Sequence, residues 1–515
     1  MENPSRPPIA VSLLRYLGFV GALLLAVAGA RSGQRGVAWT TWLAGTVVLT
    51  AGWLLLGRRL DRVRPRWLLV TGALWALPLL ASLPLESRDV YSYACQGSLV
   101  VHGIDPYHHG IAALPCPWLG TVSHLWHNTT SPYGPLWLLV TGAAAAGHNL
   151  VLAIGLLRLV AIGGLVLATW AGHRLATALD VDPVRAAWLW LLAPMVLVHA
   201  ASGAHNDALL AGLVLAALAV AVAHHPGPPA PAESDTPPTA TPPPTVPAAA
   251  APPATVRANG VPPSLVRVGA VGALLGLAVA VKASALVAVP FAVLLVAADR
   301  TWRSIARASA VAGAGLLGAY GILWMITGYG LGWVPALSDT SRLVVEPNSI
   351  PTGLGMGARR LSQLLGQPAL GAHAVGGFRA LGLLVLAVVL VWLWFAVRRR
   401  TDPADVVVAT GLALAAAVVL APVTFPWYGL APLAVLAYGL TDERWQWRLA
   451  LLLAPVPLAI LPKGNGLGSL HKTPAELFDA LVVIAVVGLA VRYLLIRRAD
   501  RKPAVAGPRL ADRPR

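Results

Sequence analysis

Asp89 follows the apolar run 67–85, stands beside Arg88, and opens a segment whose composition differs from the rest of the chain. Residues 86–135 hold five of the 13 histidines and four of the 10 tyrosines. Aromatic faces, imidazoles and two aspartates, Asp89 and Asp105, suit the binding of a polyhydroxylated ring by stacking and hydrogen bonding, with a carboxylate at hand to accept a proton. Two plainer readings stand beside this one. The aromatic residues would also suit an interfacial belt at headgroup depth, and Asp89 would also suit a helix-end ion pair with Arg88. Other polar residues interrupt apolar runs: His205-Asn206-Asp207, Lys282, and Thr424 with Trp427-Tyr428. Each has a structural explanation, as a helix cap, a snorkelling cation or a belt residue. Ionisable groups at membrane depth nevertheless tend to line functional cavities.

Other chemistry finds little support. No HExxH and no His/Cys set with zinc-finger spacing occurs, so a divalent metal is not indicated, and no phosphate-binding loop or dinucleotide fingerprint calls for a cofactor. An activated substrate must then arrive ready-made, and a lipid-bound donor already in the membrane meets that need. Cys95 and Cys116 are the only cysteines and share the 86–135 segment, where a disulfide and two free thiols both remain open.

The elements that must position these residues are helices in a bilayer. Hydrophobic residues make up 57% of the 515 positions and charged residues 11%, against about 25% charged in soluble domains. Apolar runs at 9–30, 37–57, 67–85, 148–170, 186–201, 206–224, 264–281, 283–298, 304–327, 377–397, 405–421, 427–441, 447–462 and 475–496 predict an all-α polytopic membrane protein with 13 to 14 spans and a large first external loop. The first run is read as a retained helix. The net charge of +17 falls in short Arg clusters, at 58–66, 300–303, 398–400 and in the tail after Arg497, which is an anchoring pattern and not a nucleic-acid surface. With those clusters and both termini in the cytoplasm, the polar segments above all reach the external face of the plasma membrane. The expected organisation is a block at 1–224 with the external loop 86–135, a Pro/Ala/Thr cytoplasmic linker at 225–263, a block at 264–498 with an external loop at 328–376, and a basic tail at 499–515.

The stretch DVYSYACQGSLVVHGIDPYHHG, followed by SPYGPLWLLV, resembles the actinobacterial polyprenyl-phosphomannose-dependent α-(1→6)-mannosyltransferases that build lipomannan cores, and is most similar to the MptB type. HNDALLAGLVL at 205–215 and KASALVAVP at 282–290 look like the same family. The resemblance implies a GT-C glycosyltransferase fold with Asp89 as the catalytic base. It implies a polyprenyl phosphate mannose donor, a phosphatidylinositol mannoside or growing mannan as acceptor, and inversion in one displacement. His205, Lys282 and Arg342 then become candidates to cradle the leaving phosphate. Arg88, Tyr91, Gln96, Asp105, Tyr107, Tyr133, Asn206 and Asp207 become candidates to shape the substrate pocket. A GT-C enzyme for another lipid-linked sugar, such as arabinofuranose, and a flippase for polyprenyl lipids are the competing readings.

Overall fold

The computed structural model describes residues 9–462 apart from 115 and 224–263, together with 464, 466 and 471–485. The proline-rich linker, the basic tail and the end of the last expected span lie outside these residues. Nineteen α-helices precede the final helical stretch at 472–485, and among the described residues no strand occurs. The first half comprises α1 (Ile9–Ala30), α2 (Arg35–Gly57), α3 (Pro65–Ala81), α4 (Asp89–Val101), α5 (Pro135–Ala145), α6 (Leu150–Ala178), α7 (Pro183–Leu191), α8 (Pro194–Val196) and α9 (Asp207–Val222). The second comprises α10 (Leu265–Val281), α11 (Val289–Val296), α12 (Trp302–Thr327), α13 (Trp333–Leu343), α14 (Ile350–Leu364), α15 (Pro368–Gly371), α16 (Ala374–Arg398), α17 (Pro403–Leu420), α18 (Leu430–Gly439) and α19 (Glu443–Leu453).

Small residues set the packing, as they do where apolar burial gives helices no preference for one another over lipid. In α10 and α12 the backbones approach so closely that a Cβ on Gly272 would lie 1.9 Å from the Ala312 carbonyl, and one on Gly315 would lie 2.1 Å from that of Gly269. Polar groups inside the bundle find backbone partners. The Trp53 and Trp188 indoles stack at 5.4 Å, and each donates to the other's carbonyl, at 3.0 and 2.8 Å. Arg158, a cation in the middle of α6, donates to the carbonyls of Leu80, Ser82 and Ser202 at 2.7–3.0 Å. It therefore fixes the chain on its way to Asp89 and on its way to His205.

The spans differ from the sequence expectation. Six helices among the described residues are long and apolar enough to cross a bilayer, or seven if Pro183–Leu191 and Pro194–Ser202, bent by 50°, count as one broken span. The run 427–441 is a 3₁₀ turn, Pro426–Gly429, followed by the ten residues of α18. The run 447–462 ends its helix at Leu453. Prolines and glycines inside apolar runs break them into pieces shorter than the roughly 20 residues a span needs. Apolar composition is retained while length is lost. Inside the expected 86–135 loop, Asp89–Val101 is helical and packs against α5, so closely that a Cβ on Gly97 would lie 2.0 Å from the Thr141 carbonyl.

Candidate active site

Asp89 is the first residue of α4, where the helix dipole favours negative charge, and its amide donates to Ser87 Oγ at 3.1 Å. Its side chain is 13% exposed and lies 3.8 Å from His205 Nδ1. The Trp126 indole and the Ser87 hydroxyl hydrogen-bond to it. Burial raises its pKa to about 6; Lys282 opposes that rise and the nearby Asp207 adds to it. Among the described residues no ion pair joins Asp89 to Arg88, so the helix-end pair that competed with the functional reading is not formed.

The His-Asn-Asp triplet arrives by an irregular route. After α8 the chain forms a π-helix, Leu197–Ser202, and Ala204 then takes φ 52°, a left-handed conformation that costs a non-glycine residue of order 1–3 kcal/mol. The detour delivers His205, Asn206 and Asp207 fully buried at the start of α9. His205 stacks on Trp427 at 4.1 Å, and Trp427 in turn stacks on Phe425 at 4.6 Å. Lys282, in the extended residue that ends α10, places Nζ 2.7 and 2.9 Å from the two Asp207 carboxylate oxygens and 3.8 Å above the Tyr428 ring. Both Asn206 side-chain polar atoms and His205 Nε2 are buried without a partner in the protein.

Tyr133 packs edge-on to Tyr93 at 5.4 Å, and the Tyr93 hydroxyl lies 3.4 Å from His205 Nδ1. Beyond Tyr133, Lys282 and Tyr428 a cavity of about 520 Å³ opens, with Leu383, Leu414, Ala417, Val418 and Ala431 among its walls and Ser284, Ser338 and Thr340 among its few polar ones. Its lining is mostly apolar and includes one cation, Lys282.

The remaining candidates divide. Gln96 is buried and accepts from Ser131 Oγ at 3.0 Å, Tyr91 is half-buried beside the Cys95 cluster, and the Tyr107 hydroxyl donates to the Tyr133 carbonyl at 2.8 Å. These shape the segment around Asp89. Asp105 accepts from the Tyr107 amide and pairs with His108 at 2.8 Å, so it organises its own turn. Arg342 is not brought to the cluster: its side chain is 77% exposed and its partner is Asp339, one turn back. Cys95 and Cys116 form a disulfide, with Cα atoms 5.7 Å apart, at the centre of a small second core with Leu99, Ile111 and Val122. Trp126 packs on this core, which explains how a loop residue reaches Asp89.

The belt reading of the aromatic residues covers Trp126, and neither Trp126 nor Glu86 stands out as a site residue in the sequence. Glu86 is buried, accepts from Trp42 Nε1 at 2.9 Å and lies 3.7 Å from His199. Burial raises its pKa to about 8, against the Trp42 hydrogen bond. An acid at the end of an apolar run was the available signal.

Two family models cover this arrangement. The model for the N-terminal domain of α-(1→6)-mannopyranosyltransferases matches residues 15–298, which contain Asp89, His205, Asp207 and Lys282. The chain belongs to this mannosyltransferase family. The MptB C-terminal domain model matches residues 351–505. Among curated relatives, α-(1→6)-mannopyranosyltransferase A of Mycobacterium tuberculosis is 29% identical over 97% of this chain and 92% of its own. A probable α-(1→6)-mannopyranosyltransferase of Mycolicibacterium smegmatis is 32% identical over 95% and 90%. α-(1→6)-Mannopyranosyltransferase B of Corynebacterium glutamicum is 25% identical over 82% and 69%. Among solved structures, ArnT of Cupriavidus metallidurans bound to undecaprenyl phosphate matches at TM-score 0.41 and 18% identity, over 84% of this chain and 73% of ArnT. The family is one of α-(1→6)-mannopyranosyltransferases, as the sequence motifs implied, and six of the described helices are long and apolar enough to cross a membrane.

Proposed function

We propose that the protein transfers mannose from polyprenyl phosphate mannose to the 6-hydroxyl of a phosphatidylinositol mannoside or a growing mannan, with inversion, on the external face of the plasma membrane. One juxtaposition carries this reading. A largely enclosed carboxylate, Asp89, feels the charge of Lys282, and Lys282 is, among the described residues, the one cation lining an apolar cavity of about 520 Å³. A base, a cation and an apolar site suit the acceptor hydroxyl, the phosphate and the polyprenyl chain of a lipid-linked donor.

In the proposed step Asp89 accepts the proton of the acceptor's 6-hydroxyl as that oxygen attacks the anomeric carbon. The bond from that carbon to the phosphate oxygen breaks, and the electron pair leaves with polyprenyl phosphate. Lys282 has one ammonium proton beyond the two that face Asp207, and it stabilises the charge gathering on the leaving phosphate. A pKa near 6 leaves Asp89 ionised at neutral pH yet more basic than an ordinary aspartate, which suits a general base. His205 and Asn206, with unpartnered polar atoms, serve the sugar hydroxyls, and Tyr133 offers it a face.

The test is transfer by purified protein, with polyprenyl phosphate mannose or polyprenyl phosphate arabinofuranose as donor and a phosphatidylinositol mannoside as acceptor, read by mass spectrometry of the lipids. Mannose addition is the expected result. Transfer of arabinofuranose alone would overturn the sugar assignment, and movement of the lipid between leaflets without transfer would overturn the enzyme. The orientation is checked separately with an impermeant thiol reagent on intact cells, which should label Ser123→Cys and leave Ser234→Cys unlabelled.

A further inference from the structure

Arg379, near the start of α16, did not stand out in the sequence, yet each of its three guanidinium nitrogens is engaged. Nε donates to Thr352 Oγ1 at 2.9 Å, Nη2 to the Val344 carbonyl at 2.8 Å, and Nη1 to the Ser341 carbonyl. The two carbonyls belong to the C-terminal end of α13, where backbone acceptors lack helical partners and a cation is favoured. Thr352 Oγ1 donates onward to the Pro422 carbonyl at 2.6 Å, and Ser349 Oγ donates to that of Ala421. One side chain thereby ties together the end of α13, the first turn of α14 and the break that follows α17.

These tied segments are walls of the apolar cavity. Leu337, Ser338 and Ser341 line it from α13, Ala421 and Pro422 from the break, and Leu383 from α16 one turn beyond Arg379. Packing alone holds α13 weakly, since only Trp333 and Ala336 of its eleven residues are buried. A wall with so little buried surface needs another restraint, and the guanidinium supplies three hydrogen bonds from a charged donor.

We propose that Arg379 is a positioning residue for a long-chain prenyl phosphate: by fixing α13 against α14 and the end of α17, it sets the outer wall along which the chain lies while the phosphate meets Lys282. This rests on the reading of the cavity as the donor-lipid site. It sets Arg379 apart from the residues around Asp89, because it acts on lipid seating and not on proton transfer.

The experiment uses the full chain and measures kcat and the KM of each substrate with the other saturating, together with binding of polyprenyl phosphate alone, which requires no reaction. These hydrogen bonds are made within the protein, so their loss reaches binding through the position of the wall, and a seating cost equal to one charge-assisted hydrogen bond is about tenfold in Kd. Arg379→Ala should therefore raise the donor KM and the Kd for polyprenyl phosphate by about tenfold or more, leaving the acceptor KM unchanged. Arg379→Lys keeps the charge but not the three-way reach, and should recover part of the loss. Thr352→Val removes one partner only and should shift the donor KM in the same direction by less, which keeps the test decisive if Arg379→Ala fails to fold. Unchanged polyprenyl phosphate binding in a folded Arg379 or Thr352 variant would overturn the proposal. Equal loss for both substrates would do the same, reducing Arg379 to a general structural role. If the wild type bound polyprenyl phosphate but transferred no mannose, the functional reading would fail while the binding comparison still decided the role of Arg379.

Discussion

Helices α9 and α16 are both apolar, yet 14 of the 16 residues of α9 are buried and only Gly382, Leu393 and Val397 of the 25 in α16 are. The first begins with Asp207 and is enclosed by α6, α10, α11 and α18, so the Lys282–Asp207 pair it supports has little freedom. The second turns most of its surface outward, exposing Leu384, Val388, Val391 and Trp392, and contributes Leu383 alone to the cavity. Under the proposed function, the groups that meet the reacting atom sit on enclosed elements, where geometry is fixed, whereas part of the cavity wall, from α13 and α16, sits on elements with little buried surface, where a poorly defined ligand surface is tolerated.

The sharpest way to break this contrast is at Asp89. Asp89→Asn keeps size and most hydrogen bonding but removes the proton acceptor, and general-base assistance is commonly worth about 10²- to 10⁴-fold. Turnover should fall by at least that lower figure, with donor binding and thermal stability little changed. Near wild-type turnover would show that the enclosed region does not hold the base.

Glycine contacts test the same division through packing. Gly97→Val would drive its side chain into the Thr141 carbonyl and its carbon, both backbone atoms, so α4 must part from α5 and carry Asp89 with it. Yield of monodisperse protein and transfer should both collapse. Gly376→Ala, in α16, meets nothing within 4 Å and should leave both intact, with a gain of up to about 1 kcal/mol from helix propensity. Equal tolerance at the two sites would remove the distinction between the regions.

Much of the enclosed site was legible in the sequence because its signals are local. An aspartate just after an apolar run, HND, and a lysine between two apolar runs each stand out against lipid-compatible surroundings, and they converge around His205 and the Lys282–Asp207 pair. What escaped notice depends on chain reversal. Trp126 reaches Asp89 only because a disulfide 21 residues long in sequence folds its loop back onto α4, and the three carbonyls bound by Arg158 come from segments 78 to 44 residues away. Arg342 was over-read for the converse reason. It is a cation in a polar segment on the expected side, but Asp339 at helical spacing offers it a nearer partner. Among the described residues six helices, or seven with the bent pair, are long enough to span, because apolar composition does not disclose a 3₁₀ turn or a π-helix that shortens a helix.

A subtler test concerns the hydrogen bond from Trp126. Asp89 must be ionised to act as a base, so kcat/KM should rise with pH through about 6 and then level off. The groups acting on it are Lys282 from α10, Asp207 and His205 from around the start of α9, and Ser87 and Trp126 from its flanking segments. The indole N–H favours the carboxylate form, so Trp126→Phe, which keeps an aromatic ring but not the donor, should raise the Asp89 pKa and move the acid limb of the profile to higher pH. An unmoved limb would confine Trp126 to packing.

The smallest effect is expected at Arg342, where the contrast between fixed and tolerant regions predicts almost nothing. The family resemblance made this residue a candidate for the phosphate cradle, alongside His205 and Lys282. Its placement argues otherwise, since an exposed pair at 3.7 Å with Asp339 contributes about 0–1 kcal/mol and leaves the charge in water, whereas Lys282 is largely buried and lines the cavity. Arg342→Ala should therefore change kcat and both KM values by less than about twofold, whereas Lys282→Ala leaves Asp207 buried without its partner, a loss of about 3–5 kcal/mol. The two cations thus differ in environment more than in charge. A large rise in donor KM for Arg342→Ala would mean that α13 turns inward when the lipid binds, carrying Arg342 to the phosphate, and the wall held by Arg379 would then have to be a moving part.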